Sequence, residues 1–205
     1  MDSITTAACF LLGYVFGSVP CGLWLVKAFH GIDIRDYGSG NIGATNVFRT
    51  VGPKTAVLVL IGDMLKGIIA LALVRHFLGD PVLVAVAALG ALLGHNYSLF
   101  LGFKGGKGVA TGLGLFLFML PLSAGIGFAV WLAIVLVTRY VSLGSVVGAI
   151  VAAASGWCLG YPFPYAVFGT LACLFVVLRH KDNIKRLMDG TESKISPGSM
   201  DKKGK

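Results

Sequence analysis

Charge is scarce in this chain. Of 205 residues only 13% are charged, and acid is scarcest: eight aspartates and Glu192, against 17 lysines and arginines. So few carboxylates exclude an acidic binding surface and a clustered-aspartate metal site of the kind CDP-alcohol phosphotransferases use. Cysteine is also rare. Cys9, Cys21, Cys158 and Cys173 all fall in apolar runs, with no CxxC and no metal-ligand spacing, which excludes a disulfide framework and a zinc site. No cleavable signal is expected either: Asp2 stands where a basic n-region would be, and the first apolar run is too long for an h-region. Four stretches lack charge altogether: Ile4 to Val26, Pro81 to Phe103, Gly108 to Thr138 and Tyr140 to Leu178.

What fills those stretches is apolar. The chain is 56% hydrophobic with a mean hydropathy of +0.85, more apolar surface than a soluble domain can bury. A spanning helix needs about 20 apolar residues, so the composition predicts an all-α integral membrane protein. A net charge of +8 invites a nucleic-acid reading, but the cations sit between apolar runs, where topology accounts for them.

Charge also sets the number of crossings. The run from Gly108 to Thr138 is too long for one ordinary span and short for two, with Pro121 dividing it. If Pro121 marks a hairpin and the N-terminus lies outside, there are seven transmembrane helices, approximately 4–26, 55–74, 81–101, 108–120, 122–138, 142–159 and 164–180. That topology places 15 of the 17 cations on the inner side and leaves Arg75 outside and Lys66 within a span. With six spans, Arg139 and the tail cations would face outward, so the positive-inside rule favours seven, with a cytoplasmic C-terminus. The fourth and fifth helices are expected to be short. The expected organisation is one membrane domain, 1–188, followed by a flexible basic cytoplasmic tail, 189–205.

Two glycine-rich basic loops interrupt the apolar runs. One is Gly38-Ser39-Gly40-Asn41-Ile42-Gly43-Ala44-Thr45-Asn46 with Arg49; the other is Phe103-Lys104-Gly105-Gly106-Lys107-Gly108-Val109-Ala110-Thr111. Glycines let backbone N–H groups turn toward an anion, hydroxyl and amide side chains add donors, and a cation neutralises charge. A helix N-terminus near Thr45 or Asn46 would favour anions further. Two such loops on one face suggest a site that holds two phosphates at once. On the same predicted face lie His95 and Asn96, Ser142 and Ser145, and His180 and Asn183.

Other residues are open to plainer readings. Asp63 and Lys66, at i and i+3 in the second span, are a functional pair or a neutralising structural one. His95 and Asn96 line the site or cap a helix, with the structural role preferred. Gly13, Gly17, Gly144 and Gly148 have small-xxx-small spacing and predict helix packing. Trp24, Trp131 and Trp157 suit an interface or packing. Glu192 is expected as a solvated tail residue, the alternative being that it reaches back to the basic loops.

Four stretches resemble the signature segments of the bacterial PlsY family of membrane glycerol-3-phosphate acyltransferases. They are Ser39–Arg49, Phe103–Thr111, Ser142–Ser145, and Arg179-His180-Lys181-Asp182-Asn183-Ile184-Lys185-Arg186-Leu187 with Gly190-Thr191-Glu192. The resemblance runs through nearly the whole chain, in order. It implies that acyl phosphate and glycerol 3-phosphate are converted to 1-acyl-glycerol 3-phosphate and inorganic phosphate. It also implies seven helices in the bacterial inner membrane, with the site facing the cytoplasm. By motif position Ser39, Gly40, Asn41, Gly43, Thr45, Asn46 and Arg49 would bind one phosphate. Lys104, Gly105, Gly106 and Lys107 would hold the second, and Ser142 or Ser145 would contact either substrate. Asn183 would orient glycerol 3-phosphate, and His180 would orient it or serve as base. Arg49, Lys107, His180 and Asn183 are the catalytic candidates.

Elimination then shapes the expected chemistry. No histidine has an aspartate five residues on, so the HxxxxD pairing of other glycerol-phosphate acyltransferases is missing, and no serine lies in a GxSxG elbow. An acyl phosphate is already activated, so proximity, orientation and charge neutralisation suffice. Direct attack without an acyl-enzyme, a metal or another cofactor is expected, the proton going to His180 or to a phosphate oxygen of a substrate, with the lipid bilayer as surroundings and neither nucleic acid nor a required protein partner. A phosphate transporter is the competing class. Against it, transporter sites lie near the midplane of repeated halves, whereas these cations lie at one face and no repeat is visible.

Overall fold

The computed structural model describes residues 2–196, which form ten α-helices and two short 3-10 turns, with no β-strand among the described residues. In chain order the helices are α1 (Ser3–Ser18), α2 (Cys21–His30), α3 (Ala44–Val51), α4 (Pro53–Phe77) and α5 (Pro81–Asn96). There follow α6 (Val109–Met119), α7 (Pro121–Thr138), α8 (Val141–Cys158), α9 (Phe163–Arg179) and α10 (Lys181–Met188). Proline marks the first turn of α4, α5, α7 and α9, where its missing N–H would have no intrahelical partner anyway. Asp2 and Asp80 cap α1 and α5, accepting from the N–H groups of Thr5 and Val82 at 2.6 and 2.7 Å.

By length and composition five helical segments can cross a membrane: Ser3–His30, α4, α5 with its following turn to Leu101, α7 and α8. The bent pair α9–α10 makes a sixth, and the 11-residue α6 is apolar but shorter. Exposed apolar side chains such as Ile61, Leu65, Ile69, Leu136, Val137, Leu174 and Leu178 cover the outside, as lipid contact requires. The first crossing, expected as one helix, is broken at Val19-Pro20. Proline has no N–H to continue the ladder, and the freed Val19 carbonyl is used elsewhere.

Small residues bring the helices together as their spacing predicts. Gly13 and Gly17 of α1 lie against the Ala87 and Ala91 backbone of α5, while Gly90 and Gly94 of α5 lie against Phe10 and Tyr14 of α1. Gly144 and Gly148 of α8 pack on Trp131 and Gly127 of α7. A main core forms between α4, α5, α6, α8 and α9, centred on Leu71, Leu92, Leu115, Leu120 and Phe168. A second, smaller core of Val26, Ile34, Ile42, Val47 and Val59 lies under α3 and anchors the long connection between α2 and α4.

Past α9 the chain bends by 57° into α10. Residues 189–196, expected as part of a free tail, fold back instead. Ile195 N–H donates to the Arg139 carbonyl at 2.8 Å, and the Lys194 ammonium lies 5.5 Å from the Tyr140 ring centroid. Residues 197–205 of the expected tail lie outside the described residues.

Candidate active site

One end of the bundle holds a cavity of about 640 Å³. Its polar wall comes from four separated segments, 38–49, Lys107-Gly108, Ser142 with Ser145, and 179–193, together with Asp63 of α4 and His95 of α5. Its apolar arm runs between helices past Leu113, Phe116, Phe128, Trp131, Ala149 and Cys173.

The first glycine loop is shaped by Asn46. This side chain is 2% exposed. Its Nδ2 donates to the carbonyls of Ile34, Tyr37 and Asn41 at 3.3, 3.1 and 2.8 Å, and its Oδ1 accepts from Ser39 N–H at 2.9 Å. Asn46 was expected to bind phosphate; its polar atoms are committed to folding the loop around the start of α3. Asn41 does similar work, its Oδ1 accepting from Gly43 N–H at 2.8 Å. Gly40 takes a left-handed turn (φ 70°), donates to the Tyr37 carbonyl, and does not line the cavity. Ser39, Gly43 and Thr45 do line it, and no side chain caps α3. Arg49 completes this wall. Its Nη2 donates to the Ser193 carbonyl at 2.8 Å, and its buried Nε has no hydrogen-bond partner among the described residues.

The second loop contributes less than its sequence promised. Lys107, Gly108, Val109 and Ala110 reach the cavity; Lys104 is exposed, and Gly105 and Gly106 lie outside the lining. One glycine amide expected to cradle phosphate is otherwise engaged: Gly106 N–H donates to the His95 carbonyl at 3.1 Å. The loop turns its carbonyls to Arg179, whose Nε and Nη2 donate to Gly106 O at 3.2 and 3.0 Å, with Nη2 reaching Gly105 O at 3.3 Å. The Tyr97 ring holds the same guanidinium, 5.5 Å from its centroid.

Glu192 links the remaining groups. It is 8% exposed. Oε1 accepts from Ser142 Oγ and Asn183 Nδ2, each at 2.7 Å, and Oε2 from Arg186 Nε at 2.7 Å. Asn183 Oδ1 in turn accepts from Lys107 Nζ. Burial acts to raise the Glu192 pKa, but the three hydrogen bonds outweigh it and hold the carboxyl below its ordinary value. Lys107 is pushed down to about 8, chiefly by burial, with Arg186, Arg49 and Arg179 adding repulsion that Glu192 partly offsets. The solvated-tail expectation for Glu192 is therefore corrected. Its signal in the sequence was slight: a lone acid nine residues from Asn183 in a polar stretch.

His180 and Ser145 also line the cavity. His180 Nδ1 lies 2.7 Å from the Val176 carbonyl. A carbonyl only accepts, so Nδ1 carries the hydrogen and neutral His180 keeps its lone pair on Nε2. Ser145 Oγ donates back to the Val141 carbonyl at 2.8 Å. Arg179 and Arg186, which the loop-based reasoning passed over, belong to the cavity wall as well. Four guanidinium or ammonium groups, those of Arg49, Lys107, Arg179 and Arg186, thus share the lining with three carboxylates, Asp63, Asp182 and Glu192, an excess of positive charge suited to phosphate.

An all-helical, lipid-clad bundle with a basic pocket opening into an apolar arm defines a membrane enzyme that brings a phosphorylated molecule to an acyl chain. The family profile described as glycerol-3-phosphate acyltransferase matches residues 7–190, and the chain belongs to that family of acyltransferases. It is 45% identical over 190 residues to the glycerol-3-phosphate acyltransferase of Syntrophomonas wolfei, covering 93% of this chain and 97% of that one. It is 47% identical over 186 residues to the Thermus thermophilus protein of the same name, covering 90% and 92%. The crystal structure of PlsY, an integral membrane glycerol 3-phosphate acyltransferase, in its glycerol 3-phosphate form superposes with a TM-score of 0.87 at 40% identity, covering 93% of this chain and 96% of that one. Its lysophosphatidic acid form gives 0.85, covering 92% and 94%.

Proposed function

We propose that this acyltransferase moves a fatty acyl group from acyl phosphate to the C1 hydroxyl of glycerol 3-phosphate, by direct attack and without an acyl-enzyme, a metal or another cofactor. The observation that carries the reading is the cavity itself. Two phosphate-bearing substrates need two cationic positions around one apolar channel, and Arg49 and Lys107 lie on different walls of a pocket whose arm is lined by Leu113, Phe116 and Trp131. The unpartnered Nε of Arg49 supports a ligand on that wall.

Arg49, with Ser39, Gly43 and Thr45 at the start of α3, holds one phosphate. Lys107, with Ser142 and Asn183, holds the other. Ser145 borders the chain-bearing side, and the acyl chain lies in the apolar arm. The C1 oxygen attacks the acyl carbon, a new C–O ester bond forms, the acyl carbon–oxygen bond to phosphate breaks, and inorganic phosphate leaves. The hydroxyl proton passes to His180 Nε2, the lone pair that the Val176 carbonyl leaves available. Lys107 and Arg49 neutralise the developing charge. The roles of Lys104, Gly105 and Gly106 become indirect.

The same reading completes the topology. Counting α1–α2 as one crossing, and adding α6 and α9, gives seven. At 1.5 Å per residue α6 is about 16 Å long against a core of about 30 Å, so the bilayer thins beside it. The positive-inside rule turns the cationic end toward the cytoplasm of a bacterial inner membrane, where the reaction is the first acylation of phospholipid synthesis. The described residues, including the returning segment 189–196, act as one membrane domain, with no nucleic acid or obligatory protein partner.

The test is purified protein with glycerol 3-phosphate and either palmitoyl phosphate or palmitoyl-CoA, scored for lysophosphatidic acid in the presence of EDTA. Product from acyl-CoA alone refutes the donor. Loss of activity in EDTA refutes the metal-free route, and an acylated serine or cysteine trapped in one turnover refutes direct attack.

A further inference from the structure

At the cavity wall lies a buried cluster, of which Asp63 and His95 belong to the lining, that no step of the proposed reaction uses. Asp63 and Lys66 of α4 and His95 of α5 are 1%, 5% and 3% exposed. Lys66 Nζ lies 2.8 Å from Asp63 Oδ1, 2.8 Å from the Val19 carbonyl and 2.9 Å from His95 Nδ1. An ammonium has three donors and no acceptor. Nζ donates to the Val19 carbonyl and to His95 Nδ1 and pairs by charge with Asp63 Oδ1, tying α4 to the break after α1 and to α5. His95 Nδ1 therefore accepts, and the ring's hydrogen sits on Nε2.

That Nε2 edge abuts the second basic loop. A Cβ added to Gly106 would overlap His95 Nε2, and one added to Gly105 would overlap the His95 carbonyl. Gly106 N–H is also bonded to the same carbonyl. The other side of the loop is held by Arg179, through Gly105 O and Gly106 O. Lys107 is the next residue, and its Nζ reaches Asn183. An ion pair buried this deeply is a weak source of net stability, whereas its fixed donor directions set the plane of one imidazole ring.

We infer that Asp63, Lys66 and His95 are positioning residues: Lys66 fixes the His95 ring as a seat for Gly105-Gly106, and the seat sets where Lys107 meets phosphate. This rests on the reading of Lys107 as a phosphate ligand, so Lys107→Ala is measured first, with whichever acyl donor supports wild-type turnover. If it moves the KM of neither substrate, that reading fails by itself. The KM it does move is the one the seat controls. Lys66→Met is then expected to raise that same KM tenfold or more with kcat changed less than threefold. Lys66→Arg, which restores cationic donors, recovers part of the loss.

The decisive measurement is a double-mutant cycle between Gly106→Ala and His95→Ala, on protein shown to be monodisperse in detergent. Gly106→Ala alone is expected to lower kcat/KM at least tenfold. In the His95→Ala background, where the ring it would strike is gone, the same substitution lowers it less than threefold. Additive losses, or wild-type kinetics for Gly106→Ala, overturn the inference. If Lys66→Met does not give monodisperse protein, the cycle decides alone.

Discussion

Ser142 Oγ donates to Glu192 Oε1 at 2.7 Å, joining the first turn of α8 to a segment 50 residues away. Arg186 and Asn183 donate to the same carboxylate, so one buried acid ties residues 189–196 across the polar end of the cavity. Removing it leaves three donors without an acceptor. Glu192→Ala is expected to destabilise the folded enzyme by about 2 kcal/mol, the scale for unsatisfied buried polar groups. Ser142→Ala, which removes one neutral donor, should cost about 1 kcal/mol. Unfolding midpoints in detergent check both, and equal stability of wild type and Glu192→Ala contradicts the account.

The same carboxylate gives an acid limb. Its folded pKa is lowered from 4.5, so its contribution is complete above the unfolded value and is lost as pH falls through the folded one. Between pH 6 and pH 3 the midpoint of the wild type should fall more steeply than that of Glu192→Gln, which has no proton to take up there. Parallel curves would show that other carboxylates carry the acid limb.

Lys107 governs the opposite side of the pH scale. With a pKa lowered to about 8 by burial and neighbouring cations, it is charged below that value and loses its charge as pH rises through it. Since kcat/KM reports the free enzyme, it should decline above about pH 8. Lys107→Arg keeps its charge throughout this range, and its alkaline limb should move up by more than one unit even if its maximal rate is lower. A limb that stays in place assigns the titration to another group.

The two loops were legible as cationic, glycine-rich interruptions because their chemistry is local: residue types at short spacing. The division of work inside them was not. Asn46 looks like a phosphate donor in sequence, yet its partners are the carbonyls of Ile34, Tyr37 and Asn41, and only the folded loop brings these together. Gly106 reads as a cradle glycine, but the close approach of His95 is what excludes a side chain there. Glu192 reads as a solvated tail residue in sequence, with a return to the basic loops only as the alternative, and Arg179 has no assigned role there, because their partners are distant in sequence. The hydropathy runs and small-residue spacing revealed most of the helices; the break at Pro20 is a local proline effect that a long apolar run conceals.

The apolar arm should set chain length. Ala149 lines it from α8 and is only partly buried, so a larger side chain there occupies channel volume with little disturbance of the core. Each methylene withdrawn from apolar surroundings weakens binding by about 0.8 kcal/mol, or about fourfold. Ala149→Phe is therefore expected to lower kcat/KM for a palmitoyl donor more than tenfold while changing an octanoyl donor less than threefold. Comparing the two donors on the same preparation gives the ratio directly. A uniform loss on both would place the chain elsewhere.

The contact between α1 and α5 leaves no room for a side chain at its glycines. A Cβ on Gly17 would strike the carbonyl of Ala91, and a Cβ on Gly94 would strike that of Tyr14. In lipid these helices gain nothing from hydrophobic exclusion and depend on close backbone approach. Gly17→Leu should force them apart and destabilise the protein by about 3 kcal/mol, the upper part of the range for overpacked sites. Gly125 of α7, where an added Cβ meets nothing within 4 Å, is the matched control, and Gly125→Leu should leave the unfolding midpoint within about 0.5 kcal/mol of wild type. Because α5 ends at His95 and Asn96, separation of α1 from α5 also moves the support of the Lys107 loop. Protein that survives Gly17→Leu should show a raised KM for the substrate that Lys107 binds, whereas survival with unchanged kinetics would confine the α1–α5 contact to a purely structural role.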